Sequence, residues 1–203
     1  MAGPVFVIGL RGSGTSLVAD LVETISVRKL SRSPEFMTWP ILNLRRPLDE
    51  PERLSAEFGH RQFQTQYDGA VLALEPGREA LRWFPEMVDQ FPTARFILVH
   101  RNLADLYQAW KTIEFRQERD PMESIPFPVY HFFWGAFTFL AGQCQAHHPD
   151  RVFTVRFDIF QTHPTDPIRG LCAFLGADDG RMGQLLKLVK TPNHTKGVDN
   201  GDR

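Results

Sequence analysis

Hydrophobic positions along the chain alternate between short continuous runs and stretches with helical spacing. Short apolar runs are typical of buried strands, and they predict strands over 5–9, 70–74, 95–100 and 151–156. Apolar side chains three or four residues apart predict helices over 15–26, 79–91, 103–116, 129–147, 165–175 and 179–190. The proline-rich residues 27–60 are predicted to be irregular or short-helical. Strands that alternate with helices indicate an α/β fold with three layers, in which helices cover both faces of a central, mostly parallel sheet.

The first predicted strand runs directly into a glycine-rich turn that opens the first helix. The turn, from Gly9 to Ser16, has the sequence G-L-R-G-S-G-T-S. A turn of this kind directs free backbone N–H groups and the positive end of a helix dipole towards one point, where an anion binds. Glycines let the backbone approach the anion closely, and the hydroxyls of Ser13, Thr15 and Ser16 add donors. The sequence therefore predicts a phosphate-binding loop.

The spacing of Gly9 and Gly14 matches the G-x-x-x-x-G of a nucleoside-triphosphate P-loop. Such a loop continues with a lysine that reaches the β- and γ-phosphates, and here Thr15 stands at that position. Three interpretations follow from the residues alone. The turn is a strand–turn–helix without a ligand, a degenerate kinase loop, or the phosphate loop of another family.

Three segments, in order along the chain, indicate which other family this is. They are S-G-T-S-L at Ser13–Leu17, R-F-I-L-V-H-R-N-L-A-D-L at Arg95–Leu106, and R-V-F-T-V-R-F-D at Arg151–Asp158 with the later Pro164 and F-L-G at 174–176. Together they resemble the sulfotransferases that use 3′-phosphoadenosine 5′-phosphosulfate (PAPS). The resemblance implies one domain over residues 1–203 with the P-loop-NTPase-like sulfotransferase fold. It also implies transfer of a sulfuryl group from PAPS to a hydroxyl of a small-molecule or glycan acceptor.

The resemblance assigns roles to individual residues of this chain. The residues of the loop correspond to the family's 5′-phosphosulfate loop. Arg101 corresponds to the arginine that holds the 3′-phosphate, and Phe157 to an aromatic residue that lies against adenine. Near the end of the chain, Lys196 and Gly197 resemble a loop that closes over the 3′-phosphate. The loop residues are Arg11, Gly12, Ser13, Gly14, Thr15 and Ser16.

Physical arguments bear on two of these residues independently of the resemblance. Arg101 follows a predicted strand, and ligands of open α/β sheets bind at the carboxyl ends of strands. The planar fork of an arginine also suits phosphate better than a lysine does. The alternative for Arg101 is a solvated surface arginine. The alternative for Phe157 is an ordinary core position, the more common location of a phenylalanine in an apolar run.

The chain also departs from the family's pattern. Gly12 stands where the family loop carries arginine or lysine, and Arg11 is predicted to supply that charge from one residue earlier. Ala109 stands where the family has a serine that binds the 3′-phosphate. The lysine of a K-x-P segment has no match in Leu74-Glu75-Pro76. Two alternatives therefore stay open: a P-loop small-molecule kinase, and a catalytically inactive nucleotide-binding module.

Sulfuryl transfer needs a base that takes the proton of the acceptor hydroxyl. Glu35, in a proline-rich segment after the first helix, is the first candidate because some relatives place a glutamate base in the corresponding region. Glu75 is the second, since it follows a predicted strand where other relatives carry a histidine base. His60 is the third. The alternative for each is a solvated or ion-paired side chain, and no metal is expected.

Composition narrows the class of protein. The chain has 203 residues, 42% hydrophobic and 23% charged, which is ordinary for one globular domain. A formal net charge of −1 does not suggest a nucleic-acid partner. Cys144 and Cys172 have no metal-ligand spacing, and they are expected to be free thiols in a reducing compartment. The sequence has neither an apolar run of about 18 residues nor a signal-peptide pattern, so a cytoplasmic protein without a membrane span is expected. The acceptor and the oligomeric state stay open.

Overall fold

A computed structural model of the chain describes residues 3–32, 68–74, 87–88, 91–116 and 125–190. In these residues five strands form one sheet in the order β2-β3-β1-β4-β5, and every neighbouring pair is parallel. Val5 on the central strand pairs with Gly69 on one side and Arg95 on the other. The strands are β1 (Val5–Leu10), β2 (Leu30–Ser31), β3 (Gly69–Leu74), β4 (Arg95–His100) and β5 (Val152–Arg156).

Helices lie on both faces of the sheet. On one face, α1, α4, α5 and α6 pack against the side chains of Val5, Val7, Ile97 and Val99. On the other face, α2 and α3 pack against a second core that includes Phe6, Ile8, Phe96 and Leu98. The helices are α1 (Thr15–Ser26), α2 (Leu103–Arg116), α3 (Phe127–His147), α4 (Phe157–Thr162), α5 (Thr165–Leu175) and α6 (Met182–Lys190). This arrangement confirms the α/β fold with three layers.

Most predicted elements in the described residues are confirmed within a few residues of their ends. The helices over 15–26, 103–116 and 165–175 and the strand over 95–100 have the predicted bounds. The last predicted helix begins at Met182 instead of 179, and the aromatic helix begins two residues early, at Phe127. Pro128 does not prevent this because proline is tolerated in the first helical turn, where its missing N–H has no partner to lose.

Two elements were not predicted from the sequence. The two-residue strand β2 lies within the stretch expected to be irregular or short-helical, and it is too short to produce an alternating pattern. The helix α4 begins at the residue after β5, so no turn residues separate the two elements. Of the predicted helix 79–91, only 87, 88 and 91 are described; 87–88 is helical and 91 is not. The remainder of that helix lies outside the described residues.

Ligands of open α/β sheets bind at the carboxyl ends of the strands, and here the connections after β1 and β4 diverge at that edge. After β1 the chain enters α1, on one face of the sheet, and after the adjacent strand β4 it enters α2, on the opposite face. The connections after neighbouring strands therefore diverge and leave a crevice outside their carboxyl ends. The residues that follow β1 and β4, from Arg11 and from Arg101 respectively, line this crevice.

Candidate functional site

The glycine-rich turn between β1 and α1 has the backbone of an anion-binding loop. Its first residue is anchored by a hydrogen bond from the backbone N–H of Arg11 to the carbonyl of Leu74, at 2.8 Å. The N-cap residue Gly14 has φ +97°, and no side chain caps the helix. The first helical hydrogen bond runs from the N–H of Val18 to the carbonyl of Gly14, at 3.2 Å. The N–H groups of residues 15–17 precede it and have no partner within the helix, so they are available to an anion.

Two glycines of the loop are required by close contacts. A Cβ on Gly9 would lie 2.3 Å from the Ser13 hydroxyl oxygen, so this buried hydroxyl occupies the space that a side chain would need. A Cβ on Gly14 would lie 2.2 Å from ring carbons of Phe157, the first residue of α4. Phe157 is 7% exposed and belongs to the core. The Phe157 ring therefore packs directly against the loop at Gly14.

Arg101 lies against the same loop from the other side of the crevice. Its Nη1 donates a hydrogen bond to the carbonyl oxygen of Gly12 at 3.0 Å. Its guanidinium carbon lies 5.3 Å from the centre of the Phe157 ring, within the range of a cation–π contact. The backbone carbonyl of Arg101 accepts a hydrogen bond from the indole nitrogen of Trp134, on α3, at 3.1 Å. Arg101 is thus held by three elements, and it is not a solvated surface arginine.

The residues after Arg101 form a helix cap. The side-chain oxygen of Asn102 accepts a hydrogen bond from the N–H of Asp105 at 2.9 Å, and its amide nitrogen donates to the Asp105 carboxylate. This reciprocal pairing resembles a capping box and fixes the start of α2. Asn102 and Asp105 therefore have a structural role at the start of α2.

His100, immediately before Arg101, faces the opposite side of the sheet. Its ring packs against Phe137 at 5.5 Å between centroids, and its Nδ1 lies 3.4 Å from the Thr138 hydroxyl. Burial, together with the charge of Arg156 on β5, lowers the pKa of His100 from 6.5 to about 4. The Thr138 hydroxyl donates its proton to the Trp134 carbonyl at 2.8 Å. The pKa of His100 lies well below 7. His100 is therefore neutral at pH 7.

The structure brings together the loop, Arg101 and Phe157, and leaves the other predicted site residues undecided. Ser13 and Thr15 are buried in the loop, whereas Ser16 is exposed. The candidate bases Glu35, Glu75 and His60 lie outside the described residues, as do Lys196 and Gly197. The assigned roles, including that of Arg11 as the loop cation and of Phe157 against adenine, stay predictions. The hydrogen bond from Trp134 to Arg101 could not be predicted from the sequence, because an aromatic residue within an aromatic-rich helix carries no signal of its own.

The described residues contain neither a metal-binding cluster nor a helix that could span a membrane. No group of three or more histidine, cysteine, aspartate or glutamate side chains there is placed to hold a metal ion. Among the helices of that part of the chain, none is both long enough and apolar enough to cross a membrane. In the described part of the chain neither Cys144 nor Cys172 forms a disulfide.

Comparison with solved structures places the fold. The chain is similar to a sulfotransferase from Alicyclobacillus acidocaldarius, with 19% identity, a TM-score of 0.55, and coverage of 89% of this chain and 83% of that one. It is also similar to mouse sulfotransferase SULT7A1 complexed with PAP, with 14% identity, a TM-score of 0.62 and coverage of 93% and 65%. A third similar structure is retinol dehydratase in complex with androsterone and inactive cofactor PAP, with 16% identity, a TM-score of 0.55 and coverage of 92% and 64%. At these identities the likeness establishes the fold.

Comparison at the level of sequence identifies the family. No protein with a curated description matches the chain. The model of the Sulfotransferase family matches residues 78–180, which is just over half of the chain. The match includes β4, Arg101 and the stretch through β5 to Gly176, but not the glycine-rich loop. Two of the three segments on which the resemblance depends are therefore matched independently, and the chain belongs to the sulfotransferase family.

Proposed function

We propose that this protein is a PAPS-dependent sulfotransferase that acts on a hydroxyl of a small molecule or a glycan. The observation that carries the proposal is the loop after β1 with Arg101 against it, at the crevice where the connections of neighbouring strands diverge. Two similar structures contain PAP, the nucleotide product of such a transfer. Family membership also favours this function over the kinase alternative, which lacks its lysine at Thr15.

The residues of the crevice fit a phosphate-bearing ligand. Among the described residues, the Ser13 hydroxyl oxygen and the Arg101 Nε are buried and have no hydrogen-bond partner. Buried polar atoms without partners cost free energy, about 1–3 kcal/mol each, and a phosphate oxygen would accept a hydrogen bond from either group. Both atoms lie at the loop, next to the free N–H groups at the start of α1. An anion is therefore the class of ligand that this crevice suits.

The chain's own residues would bind and orient the nucleotide and would take the proton of the acceptor hydroxyl. When bound, PAPS supplies an activated sulfuryl group: the acceptor oxygen forms the new S–O bond and loses its proton, and the electron pair of the broken bond stays on the 5′-phosphate oxygen. The N–H groups of residues 15–17 and the hydroxyls of Ser13 and Thr15 would hold the 5′-phosphate. A base would take the acceptor proton, with Glu35 ahead of Glu75 and His60.

Nucleotide binding tests the proposal. In thermal or chemical unfolding experiments, PAP at 100 times its dissociation constant should stabilise the protein by about 2.7 kcal/mol. ATP with Mg²⁺ at the same concentration should stabilise it far less. The variant Gly14→Ala, whose Cβ would meet the Phe157 ring, is the control and should lose the effect of PAP. Stabilisation by ATP with Mg²⁺ and none by PAP would favour the kinase instead.

Three variants locate the base and also test the inactive alternative. Glu35→Gln is expected to keep PAP affinity and to lower turnover by about 10²–10⁴-fold, the usual contribution of a general base. Glu75→Gln and His60→Gln are matched controls that should retain turnover. If one of the controls is the inactive variant, that residue is the base. If the wild type binds PAP and sulfates none of a panel of phenols, alcohols and glycans, the protein is a binding module.

A further inference from the structure

The helix α3 is apolar on two opposite sides. On the outward side, the rings of Phe132 and Phe139 are each 65% exposed. A helix with apolar residues all round is normally buried all round. In the described part of the chain, however, only the inward side of α3 is covered. That side packs on the core through residues spaced alternately four and three positions apart: Tyr130, Trp134, Phe137, Ala141 and Cys144.

The outward side of α3 also lacks the charged residues of an ordinary surface helix. From Phe127 to His147 the helix contains no aspartate, glutamate, lysine or arginine. A helix that lies on a membrane surface usually carries lysine or arginine on its polar side, and α3 has neither. An exposed apolar surface of this kind is typical of a contact with another protein surface. The outward face is defined here as Val129, Phe132, Gly135, Ala136, Phe139 and Gly142.

Two glycines of the outward face are not explained by contacts among the described residues. Gly135 and Gly142 lie in the interior of α3, where glycine stabilises a helix less than alanine does. A Cβ on either glycine would meet no described heavy atom within 4 Å. Close approach of another surface to the helix backbone is a reason for glycine at such positions.

Large and small residues of the outward face repeat with the same spacing. Phe132 and Phe139 are seven positions apart, as are Gly135 and Gly142, so both pairs recur after about two helical turns. In two antiparallel α3 helices related by a two-fold axis near position 137, Phe132 lies at the level of Gly142 of the second copy. Phe139 then lies at the level of Gly135 of that copy. The outward face is therefore complementary to itself in shape.

The absence of charge on α3 suits the same partner. A two-fold axis brings the same patch of both copies together, so a charged residue near the axis would meet a like charge. The outward face of α3 has no charged side chain to oppose its symmetry mate. Two copies can therefore meet there without electrostatic repulsion between the helices.

The exposed area is sufficient for a dimer of modest affinity. A phenylalanine buries about 150–250 Å² when enclosed, so a ring that is 65% exposed leaves roughly 100–160 Å² in water. Four such rings in two copies, with the smaller residues between them, amount to on the order of 1,000 Å². This is about the lower limit of a specific interface, and it corresponds to a dissociation constant in the micromolar range.

The longest segments outside the described residues attach to the fold away from this face. The helix α3 packs against β5, at one edge of the sheet. Residues 33–67 leave from β2 and return to β3, and β2 is four inter-strand spacings from β5, about 19 Å. Residues 191–203 follow α6, which packs on the opposite face of the sheet. These attachments favour a second copy over the chain itself as the partner of α3.

We infer that the outward face of α3 is the interface of a homodimer, in which two α3 helices pack antiparallel with phenylalanine of one copy against glycine of the other. The inference does not depend on the proposed function. It can be tested without nucleotide or acceptor.

Sedimentation velocity over about 1–300 μM tests for the dimer. The wild type should change from a monomer of 23.3 kDa to twice that mass with increasing concentration. Phe132→Glu and Phe139→Glu should each raise the dissociation constant at least about tenfold, since buried aromatic residues dominate the energetics of interfaces. Ile159→Glu is the matched control: it adds the same charge at an exposed apolar residue on α4, and it should dimerise as the wild type does.

Glycine variants separate dimerisation from folding. Gly135→Leu and Gly142→Leu should resist urea at low protein concentration at least as well as the wild type, because leucine is the better helix former and no described atom occupies the space. Both variants should nevertheless raise the dissociation constant at least about tenfold, since the side chain fills the space that a ring of the second copy needs. A dimer that is unchanged or tighter in these variants would refute the packing of phenylalanine against glycine.

Cross-linking tests the orientation of the helices. Phe132→Cys and Gly142→Cys would be prepared as separate chains, both in a Cys144→Ser background because Cys172 is buried. After mixing and mild oxidation, disulfides should join the two kinds of chain. Disulfides that join only identical chains would mean a parallel pair and would overturn the antiparallel arrangement.

Three further results would overturn the inference. A wild type that is monomeric at every concentration has no such dimer, and if Phe132→Glu then unfolds more readily, another part of the chain covers α3. A monomer that co-sediments with phosphatidylcholine vesicles, and loses this in Phe132→Glu, assigns the face to lipid. A dimer that is unchanged in both glutamate variants has its interface elsewhere.

Discussion

Acidification is expected to destabilise this protein through His100. The imidazole is partly buried at the end of β4, against Phe137 and next to the charge of Arg156, which itself pairs with Asp158 at 2.7 Å. Burial and the positive neighbour both disfavour the charged ring, and they lower its pKa from 6.5 to about 4. The unfolded chain therefore binds a proton at a higher pH than the folded protein does.

The sign and size of the effect follow from this difference. Because the folded pKa is the lower one, the contribution of His100 is fully present above pH 6.5 and is lost as the pH falls towards 4. A pKa lowered by this much corresponds to a contribution of at most about 3 kcal/mol to the free energy of unfolding. Between pH 7 and pH 5 the free energy of unfolding should fall by about 2 kcal/mol because of this residue alone.

Chemical denaturation at pH 7 and at pH 5 measures this effect. His100→Asn removes the titrating group and keeps an amide near the position of Nδ1, so the variant should lose less stability on acidification than the wild type, by about 2 kcal/mol. Arg156→Ala should reduce the difference in part, since the charge of Arg156 is the second cause of the lowered pKa. If the wild type and His100→Asn lose the same amount, His100 does not titrate as described and the reasoning fails.

Other variants test the packing of the site. Gly14→Ala should lower the free energy of unfolding by about 2–4 kcal/mol, because alanine is strained at this φ and its Cβ would collide with the Phe157 ring. In a double-mutant cycle, Phe157→Ala should recover part of that loss, and purely additive losses would contradict the contact. In urea unfolding, Gly12→Ala should lower the free energy of unfolding more than Gly176→Ala does. Both glycines have positive φ, but only a Cβ on Gly12 would lie closer than 4 Å to a neighbour. Equal losses would mean that α2 does not crowd the loop. Trp134→Phe should lower the free energy of unfolding by about 1–3 kcal/mol, because it leaves the Arg101 carbonyl without its hydrogen bond. It should also weaken PAP binding measured by calorimetry, and unchanged affinity would show that this hydrogen bond does not position the site.

Local patterns were enough to predict the alternation of strands and helices. The apolar run over 95–100 and the helical spacing over 103–116 each depend on residues close together in the chain, so their bounds could be predicted from sequence. The strand–turn–helix that carries the predicted phosphate loop could also be located, because its strand, glycine-rich turn and helix start are consecutive. The same holds for the position of Arg101 at the end of β4, and hence at the edge of the sheet.

Contacts across the sheet could not be predicted in this way. The missed helix α4 begins at Phe157 because β5 ends there and the ring packs under Gly14, more than 140 positions earlier in the sequence. The hydrogen bond from Arg101 to Gly12 likewise joins separate elements. From the sequence, Gly12 and Ala109 are two separate departures from the family pattern, whereas in the fold they are neighbours: a Cβ on Gly12 would lie 3.2 Å from the Cβ of Ala109. The sequence determined most of the elements and the residues that end them, because those depend on local spacing. Only the tertiary structure decided which of those residues face each other, because that depends on how β1, β4 and α2 pack.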